Sequence, residues 1–448
     1  MSDLAFKGGT LVTSQGRERA NVYIADGRIV NVGVEDEPAD TVIDATGLHL
    51  LPGMVDSHVH LMDPGPTDRE DFPTGTKAAA ARGITTIVEH THAHPIREVA
   101  DLVDKVAYLD GRSNVDYGLA SHTWPDRIGR LGDLWAAGVT FFKIFTCTTH
   151  GVPGLDATQL EEALADIAGF GGACLIHCED EKITADAEST LREQNRTDNG
   201  LLVEWRSREA EEVAVAVAVA AAVRHGVRAT IAHVSTPAAA GIIQRAREAG
   251  ADLAAEACPQ YFALREDEVL ARGALRKFTP PARARNDAEE AAMWSLLQGG
   301  VFTHVATDHA PSTRAQKDSG IWEAPFGLPG LDTTLPFLLD AVHRDLIELE
   351  DVVRLYSEEP ARRYGLFPRK GQLAAGADAD LVLVDMTRRW TVADSDVISK
   401  AGWSPYSGRT LVGGAVATYL RGRLIAADGE PADDRSGHFL LGPGARER

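Results

Sequence analysis

An α/β fold, a (β/α)8 TIM barrel carrying a small β-sandwich built from both termini, is predicted by three features of the 448-residue sequence. From residue 51 onward, apolar strand-like runs alternate with Ala-rich helical stretches, the sequence form of repeated βα units on a parallel sheet. Eight such strands can be counted, the number that closes a barrel. Short strands broken by turns occupy both ends of the chain, and because termini commonly lie close together these ends are expected to fold as one module. The expected boundaries are 1–53 and 371–448 for the split module and 54–370 for the barrel.

Element by element, the first fifty residues contain strand signals at Leu4 to Lys7, Thr10 to Thr13, Asn21 to Ile24, Arg28 to Val32 and Thr41 to Asp44, with Asp26-Gly27 as a hairpin turn. The barrel strands are expected at Met54 to His60, Thr85 to His90, Val115 to Ser121, Val139 to Phe145, Ala173 to Cys178, Arg228 to Val234, Asp252 to Ala257 and Val301 to Asp308. Helices fall between them at Thr74 to Ala81, Ile96 to Leu109, Ala157 to Ile167, Arg206 to His225, Pro237 to Ala249 and Asp287 to Leu297, with Asp156 and Thr236 standing where caps belong. Beyond Pro368-Arg369-Lys370-Gly371 the strand pattern returns at Leu381 to Asp385, Ala415 to Leu420 and Arg423 to Ala426.

Composition narrows the class of partner. A net charge of −21 would repel nucleic acid and anionic membrane surfaces, so neither is expected to bind. No run approaches the ~20 apolar residues that span a bilayer. The start Met1-Ser2-Asp3-Leu4 lacks a basic region followed by an apolar one, which points to a cytoplasmic enzyme. Cys147, Cys174, Cys178 and Cys258 are scattered, as in a reduced compartment. Cys174 and Cys178 are not read as a metal pair, because thiolate zinc sites usually come as two such pairs.

The chemistry is expected at the C-terminal ends of the strands, where barrel enzymes keep their reactive groups. In Asp56-Ser57-His58-Val59-His60 the two histidines are two residues apart on a strand and share a face, a geometry suited to metal ligation. Lys143, His177, His233 and Asp308 stand at the ends of four further apolar strands. Taken singly, each has an ordinary reading: a histidine hydrogen-bonded in the core, a lysine in an ion pair, an aspartate capping the turn before Ala310-Pro311. Five strands delivering such groups to one rim are harder to explain separately, because buried charges and imidazoles are costly unless paired or coordinated.

These residues sit in runs that resemble the cyclic amidohydrolases, a family that includes hydantoinases, dihydropyrimidinases, allantoinases and dihydroorotases. The runs are Pro52-Gly53-Met54-Val55-Asp56-Ser57-His58-Val59-His60, Phe142-Lys143-Ile144-Phe145, Leu175-Ile176-His177-Cys178-Glu179, Ala232-His233-Val234-Ser235, Cys258-Pro259-Gln260-Tyr261 and Ala306-Thr307-Asp308-His309-Ala310. The resemblance extends to Lys370-Gly371 and Gly376-Ala377-Asp378-Ala379-Asp380-Leu381. It implies two divalent metal ions, usually Zn2+, one held by His58, His60 and Asp308 and the other by His177 and His233. Lys143 would bridge them as an N6-carboxylated lysine, and burial would favour the neutral amine that carboxylation needs. The resemblance also implies opening of a small cyclic amide by metal-activated water, Asp308 as the catalytic proton carrier, and a homodimer or homotetramer. His309, pointing to the opposite side from Asp308, is given no role.

Substrate contacts are expected from the loops. Dihydroorotases carry an Arg two positions after the second histidine and an Asn after the second strand, where this chain has Met62 and His92. Hydantoinases of the D-selective type carry a Tyr five residues after the bridging lysine and an Asn after the eighth strand, here Thr148 and about Phe326. With Cys258, these are the expected substrate-binding residues. The run Trp403-Ser404-Pro405-Tyr406-Ser407-Gly408-Arg409-Thr410, with Gly437-His438-Phe439 beyond it, is most similar to allantoinases and L-selective hydantoinases, which favours a hydantoin- or allantoin-like ring. The alternatives are a dihydroorotase-like or cyclic-imide hydrolase, or a non-catalytic scaffold relative. His90, His92 and His94 either share a face, lining the pocket or holding an accessory metal, or lie in a solvated loop. Met62, Trp124, Trp322 and Phe326 suggest a pocket for an apolar ring substituent.

Overall fold

Parallel pairing runs through the middle of the chain, in a computed structural model that describes residues 2–445. One sheet orders Asp116–Leu119, Ile84–Glu89 and Met54–Val59. A second orders Ser121–His122, Phe142–Phe145, Ala173–His177, Arg228–Ile231, Leu253–Ala257 and His304–Val305. All neighbours are parallel. The residues of Met54–Val59 and Ile84–Glu89 are buried throughout, as a sheet covered on both faces requires.

The expected third strand is broken at Ala120, whose amide donates to Glu89 while Thr140 N donates to Leu119 O, so hydrogen bonding continues from one sheet to the other. At the far edge, Val59 makes an isolated parallel bridge with His309, and His60 N donates to His309 O at 2.8 Å. The strands are shorter than the sequence suggests. Arg228–Ile231 stops before His233 and His304–Val305 stops before Asp308, because the backbone there turns into left-handed conformations (φ 35° and 49°) that no ladder can continue.

Helix starts follow the capping chemistry. The Asp156 side chain accepts from Gln159 N while the Asp156 backbone amide donates to Gln159 Oε1, ahead of Ala157–Gly169, and Thr236 accepts from Ala239 N ahead of Pro237–Glu248. The Val/Ala-rich helix begins at Arg208, after a Ser207 cap, and ends at His225. Glu181–Glu193 was not legible as a helix because it buries only Thr184 and Leu191, which leaves little apolar period to read.

Strands from both ends of the chain share a seven-stranded sheet, ordered Glu430–Pro431, Arg423–Ala427, Thr410–Leu420, Leu381–Thr391, His49–Pro52, Thr10–Thr13 and Gly16–Arg19. The join is antiparallel, with Leu381 opposite Pro52. A four-stranded sheet of Arg28–Gly33, Asn21–Ala25, Ser2–Lys7 and Ala39–Asp44 packs with it through a core that includes Phe6, Leu50, Leu383 and Tyr419. Gly16–Arg19 escaped the sequence reading because it is a polar edge strand with three exposed residues. Among the described residues no helix is long and apolar enough to cross a membrane, and all four cysteines are free and buried.

Candidate metal centre and adjoining cavity

His58 and His60 point the same way from Met54–Val59 and its extension, and each turns Nδ1 away from the site. His58 Nδ1 lies 2.7 Å from Glu256 Oε1, and His60 Nδ1 lies 2.7 Å from the carbonyl oxygen of His90. Burial pushes the Glu256 carboxyl up, but His58 and His304 outweigh it and hold Glu256 well below the usual carboxylate range, so it is ionised. A carboxylate and a carbonyl only accept, so both Nδ1 atoms carry the hydrogen and both Nε2 lone pairs face inward. They meet Asp308 Oδ1 at 3.2 Å and 3.5 Å. Burial lowers the His60 pKa to about 4, which keeps the imidazole neutral at neutral pH. Burial pushes the Asp308 carboxyl up, but its imidazole neighbours His58, His60 and His233 outweigh burial and hold it below its ordinary value.

Lys143, on Phe142–Phe145, brings Nζ to 3.4 Å from His58 Nε2. Burial lowers its pKa to about 8 against the pull of Glu256 and Asp308, so a sizeable neutral fraction exists near pH 8. His177, at the end of Ala173–His177, donates from Nε2 to Glu179 Oε2 at 2.8 Å, and its Nδ1 lies 2.9 Å from His233 Nε2. Glu179 also accepts from Thr279 Oγ1 at 2.7 Å and from Arg206 at 3.2 Å.

The donor set fits divalent metal ions. Neutral imidazole nitrogens and a carboxylate are the ligands that zinc and its borderline neighbours take, and outward Nδ1–H bonds to a carboxylate or carbonyl are the usual support of metal-bound histidines. His233 Nδ1 and both ring nitrogens of His90 are buried without a hydrogen-bond partner. The ligand atoms of His58, His60 and His90 lie within 4.8 Å of one another, so His90 stands beside the first pair. His233, Asp308, Met62 and His150 all have positive φ (35°, 49°, 57° and 54°), a cost that clusters where side chains must be aimed inward.

The pocket around these ligands is lined also by His92, His150, Thr279 and Phe326. His92, His150 and Phe326 are shared with an adjoining cavity of about 360 Å³, whose walls include Met62, Arg69, Thr148, Trp205 and Arg206. Four of the five expected substrate residues, Met62, His92, Thr148 and Phe326, therefore line one or both spaces. Cys258 does not: it is fully buried in the apolar core and lines neither. Trp124 is also elsewhere, packed under Arg97 with 4.2 Å between the guanidinium and the ring, and Trp322 stacks behind Trp205, which faces the cavity in its place. The three alternate histidines part company once the strand ends at Glu89. His90 and His92 join the site, His92 at 4.2 Å from the His60 ring, while His94 is exposed. His309 turns the other way, to Glu70 at 3.3 Å.

Sequence reasoning missed Glu256, His150, Arg69 and Trp205. A lone acid in the apolar run Leu253–Ala257 was a readable signal for Glu256, since a buried carboxylate needs a partner. The other three lie in or next to loops, and only the tertiary fold brings them to the cavity.

Residues 49–404 match the sequence profile of the amidohydrolase family. An allantoinase of Rubrobacter xylanophilus is 35% identical over 446 residues, covering 98% of this chain and 97% of the relative. A dihydroorotase of Halobacterium salinarum is 35% identical over 419 residues, covering 90% and 95%. Among solved structures, the L-hydantoinase (dihydropyrimidinase) of Arthrobacter aurescens superposes with a TM-score of 0.94 at 28% identity, covering 98% of this chain and 100% of that one.

Proposed function

The chain belongs to the amidohydrolase family and is a metal-dependent hydrolase of cyclic amides; from that premise we propose that it opens a five-membered ureide or hydantoin ring. The observation that carries this reading is the convergence of His58, His60, His177, His233, Lys143 and Asp308 on one buried pocket that shares His92, His150 and Phe326 with a ligand-sized cavity. The parallel strands are read as one (β/α)8 barrel, residues 54–370, and the end segments 1–53 and 371–448 as its β-sandwich companion.

In this reading His58, His60 and Asp308 would hold one zinc, His177 and His233 a second, and Lys143, as an N6-carboxylated side chain, would be a ligand to both. When bound, the ions supply Lewis-acid polarisation of the ring carbonyl and lower the pKa of water. Asp308 takes a proton from the attacking water as its oxygen adds to the carbonyl carbon, and returns it to the nitrogen as the ring C–N bond breaks. The products are a carboxylate and a freed urea, amide or amine end. Glu256 fixes the tautomer of His58, and Glu179 that of His177. Phe326, Met62 and Trp205 give the ring an apolar seat, and His92 and His150 supply hydrogen bonds at its edge. Assembly as a dimer or tetramer rests on the resemblance and is tested by light scattering.

The deciding experiment counts metal bound to the purified protein and assays ring opening on allantoin, hydantoins, dihydrouracil, dihydroorotate and cyclic imides. Two equivalents of metal with turnover of a hydantoin or allantoin support the reading. Less than one equivalent, with no turnover after reconstitution with zinc and bicarbonate, would overturn it.

A further inference from the structure

The cavity beyond the metal pocket has a cation in its wall without a counter-ion. Arg69 lies in the loop ahead of Phe72–Ala81, and its Nε donates to the carbonyl oxygen of Pro311 at 3.0 Å. Its Nη2 is buried and has no hydrogen-bond partner. Among the described residues the acid whose charge acts on it is its neighbour Asp68, and Asp68 is already engaged by Gln316 Nε2 at 2.7 Å. The contrast with Arg206 in the same cavity is direct: Arg206 Nη1 is committed to Glu179 at 3.2 Å and to Cys147 Sγ at 3.3 Å. Glu188, the acid at the cavity wall, is taken by Arg192 at 2.8 Å.

Two buried lysines stand behind this corner, and burial lowers the pKa of both, that of Lys277 to about 8 and that of Lys317 well below the ordinary amine range, so neither offers a fixed charge that could replace Arg69. Lys277 Nζ sits 4.6 Å from the centre of the Phe326 ring and donates only to the carbonyls of Ile321 and Trp322. Lys317 Nζ donates only to the carbonyls of Lys277 and Pro325. The cavity wall thus holds two guanidinium groups, Arg206 with a carboxylate partner and Arg69 without one, and it shares His92, His150 and Phe326 with the metal pocket. A buried guanidinium with an unfilled donor is costly, and a ligand that brings both a negative charge and acceptor oxygens removes the cost.

We propose that Arg69 binds a carboxylate carried on the substrate's ring substituent, so that the ring opened here is an anionic cyclic ureide or amide rather than a neutral one. The planar guanidinium suits a carboxylate, whose two oxygens match its parallel N–H groups. The proposal deepens the hydrolase reading and rests on it for the word substrate; the anion site itself rests on Arg69 alone. It also accounts for Met62: a chain without a cation two positions after His60 brings one to the same cavity from seven residues further along the loop.

The test compares hydantoin-5-acetate with 5-methylhydantoin, an anionic and a neutral arm on the same ring. In the zinc-loaded protein kcat/KM is expected to favour hydantoin-5-acetate, and Arg69→Met is expected to lower that preference about 10- to 100-fold, chiefly through KM, with partial recovery in Arg69→Lys. An unchanged ratio, or loss of both activities together, would overturn the specificity role. Titration of the same two compounds into metal-free protein is the second readout. Binding of hydantoin-5-acetate that disappears in Arg69→Met supports the anion site even if neither ring is ever opened, whereas equal affinity of wild-type protein for both compounds overturns it even if both are turned over.

Discussion

Glu256 Oε1 accepts from His58 Nδ1 at 2.7 Å and from the backbone amide of His233 at 3.1 Å. One buried carboxylate therefore orients a ligand of each of the two proposed metals. Glu256→Gln keeps the shape and removes the charge, leaving an amide that can present its NH2 to the His58 nitrogen. Zinc affinity is expected to fall about 10- to 100-fold, measured by competition with a chromophoric chelator. Affinity within a factor of two of wild type would show that the tautomer of His58 is set by something else.

Lys143→Ala removes the group that would join the two metals. The variant is expected to lose the second equivalent of metal and its activity together, and to regain part of both in the presence of a short carboxylic acid that can occupy the space. Metal analysis alongside turnover checks this. Full activity in the variant would exclude the carboxylated bridge.

Metal removal bears on stability as well as chemistry, since a ligand that binds only the native state adds stability by mass action. With free zinc at a hundred times its dissociation constant the gain is about 2.7 kcal/mol. Calorimetric scans before and after dialysis against a chelator should show the melting temperature drop by several degrees and recover with zinc. A melting temperature that ignores the chelator would place the metals outside the folded core.

Lys370 ties the C-terminal segment to the parallel sheet. Its Nζ is 2.6 Å from both Asp116 and Asp380 and 3.0 Å from Asp378, with about 1% of the side chain exposed. Burial alone would lower the amine's pKa, but the three carboxylates outweigh it and hold the lysine charged. Lys370→Met leaves Asp380 buried without a cation, while Asp116 keeps Arg421 and Asp378 keeps Arg369, and is expected to cost about 3–5 kcal/mol, read by urea unfolding. A loss below 1 kcal/mol would mean that Arg421, already paired with Asp116, suffices on its own.

The sequence by itself determined the parts whose signal is local. His58 and His60 share a face because a strand repeats every two residues, Asp156 and Thr236 cap because their side-chain oxygens reach the free amides of the first turn, and Lys143 and His177 stand out as polar groups in apolar strands. Where strands end was less legible, because the left-handed turns at His233 and Asp308 carry no glycine to announce them. The expected role of Cys258 followed from its neighbourhood in the chain, and its side chain instead faces the apolar core.

Met62, His92, Thr148 and Phe326 were expected at the cavity, but only the tertiary structure brought the rest of its wall to them. Arg69 and His150 come from loops and Trp205 from the end of the short helix Leu201–Trp205, and nothing in their spacing says that they face one another. Their meeting depends on how far each loop travels after its strand, and that is set by packing against other loops. The candidate metal ligands at the strand ends were readable because backbone geometry repeats over short distances; the rest of the cavity wall was not, because loop positions are fixed by contacts between residues far apart in the chain.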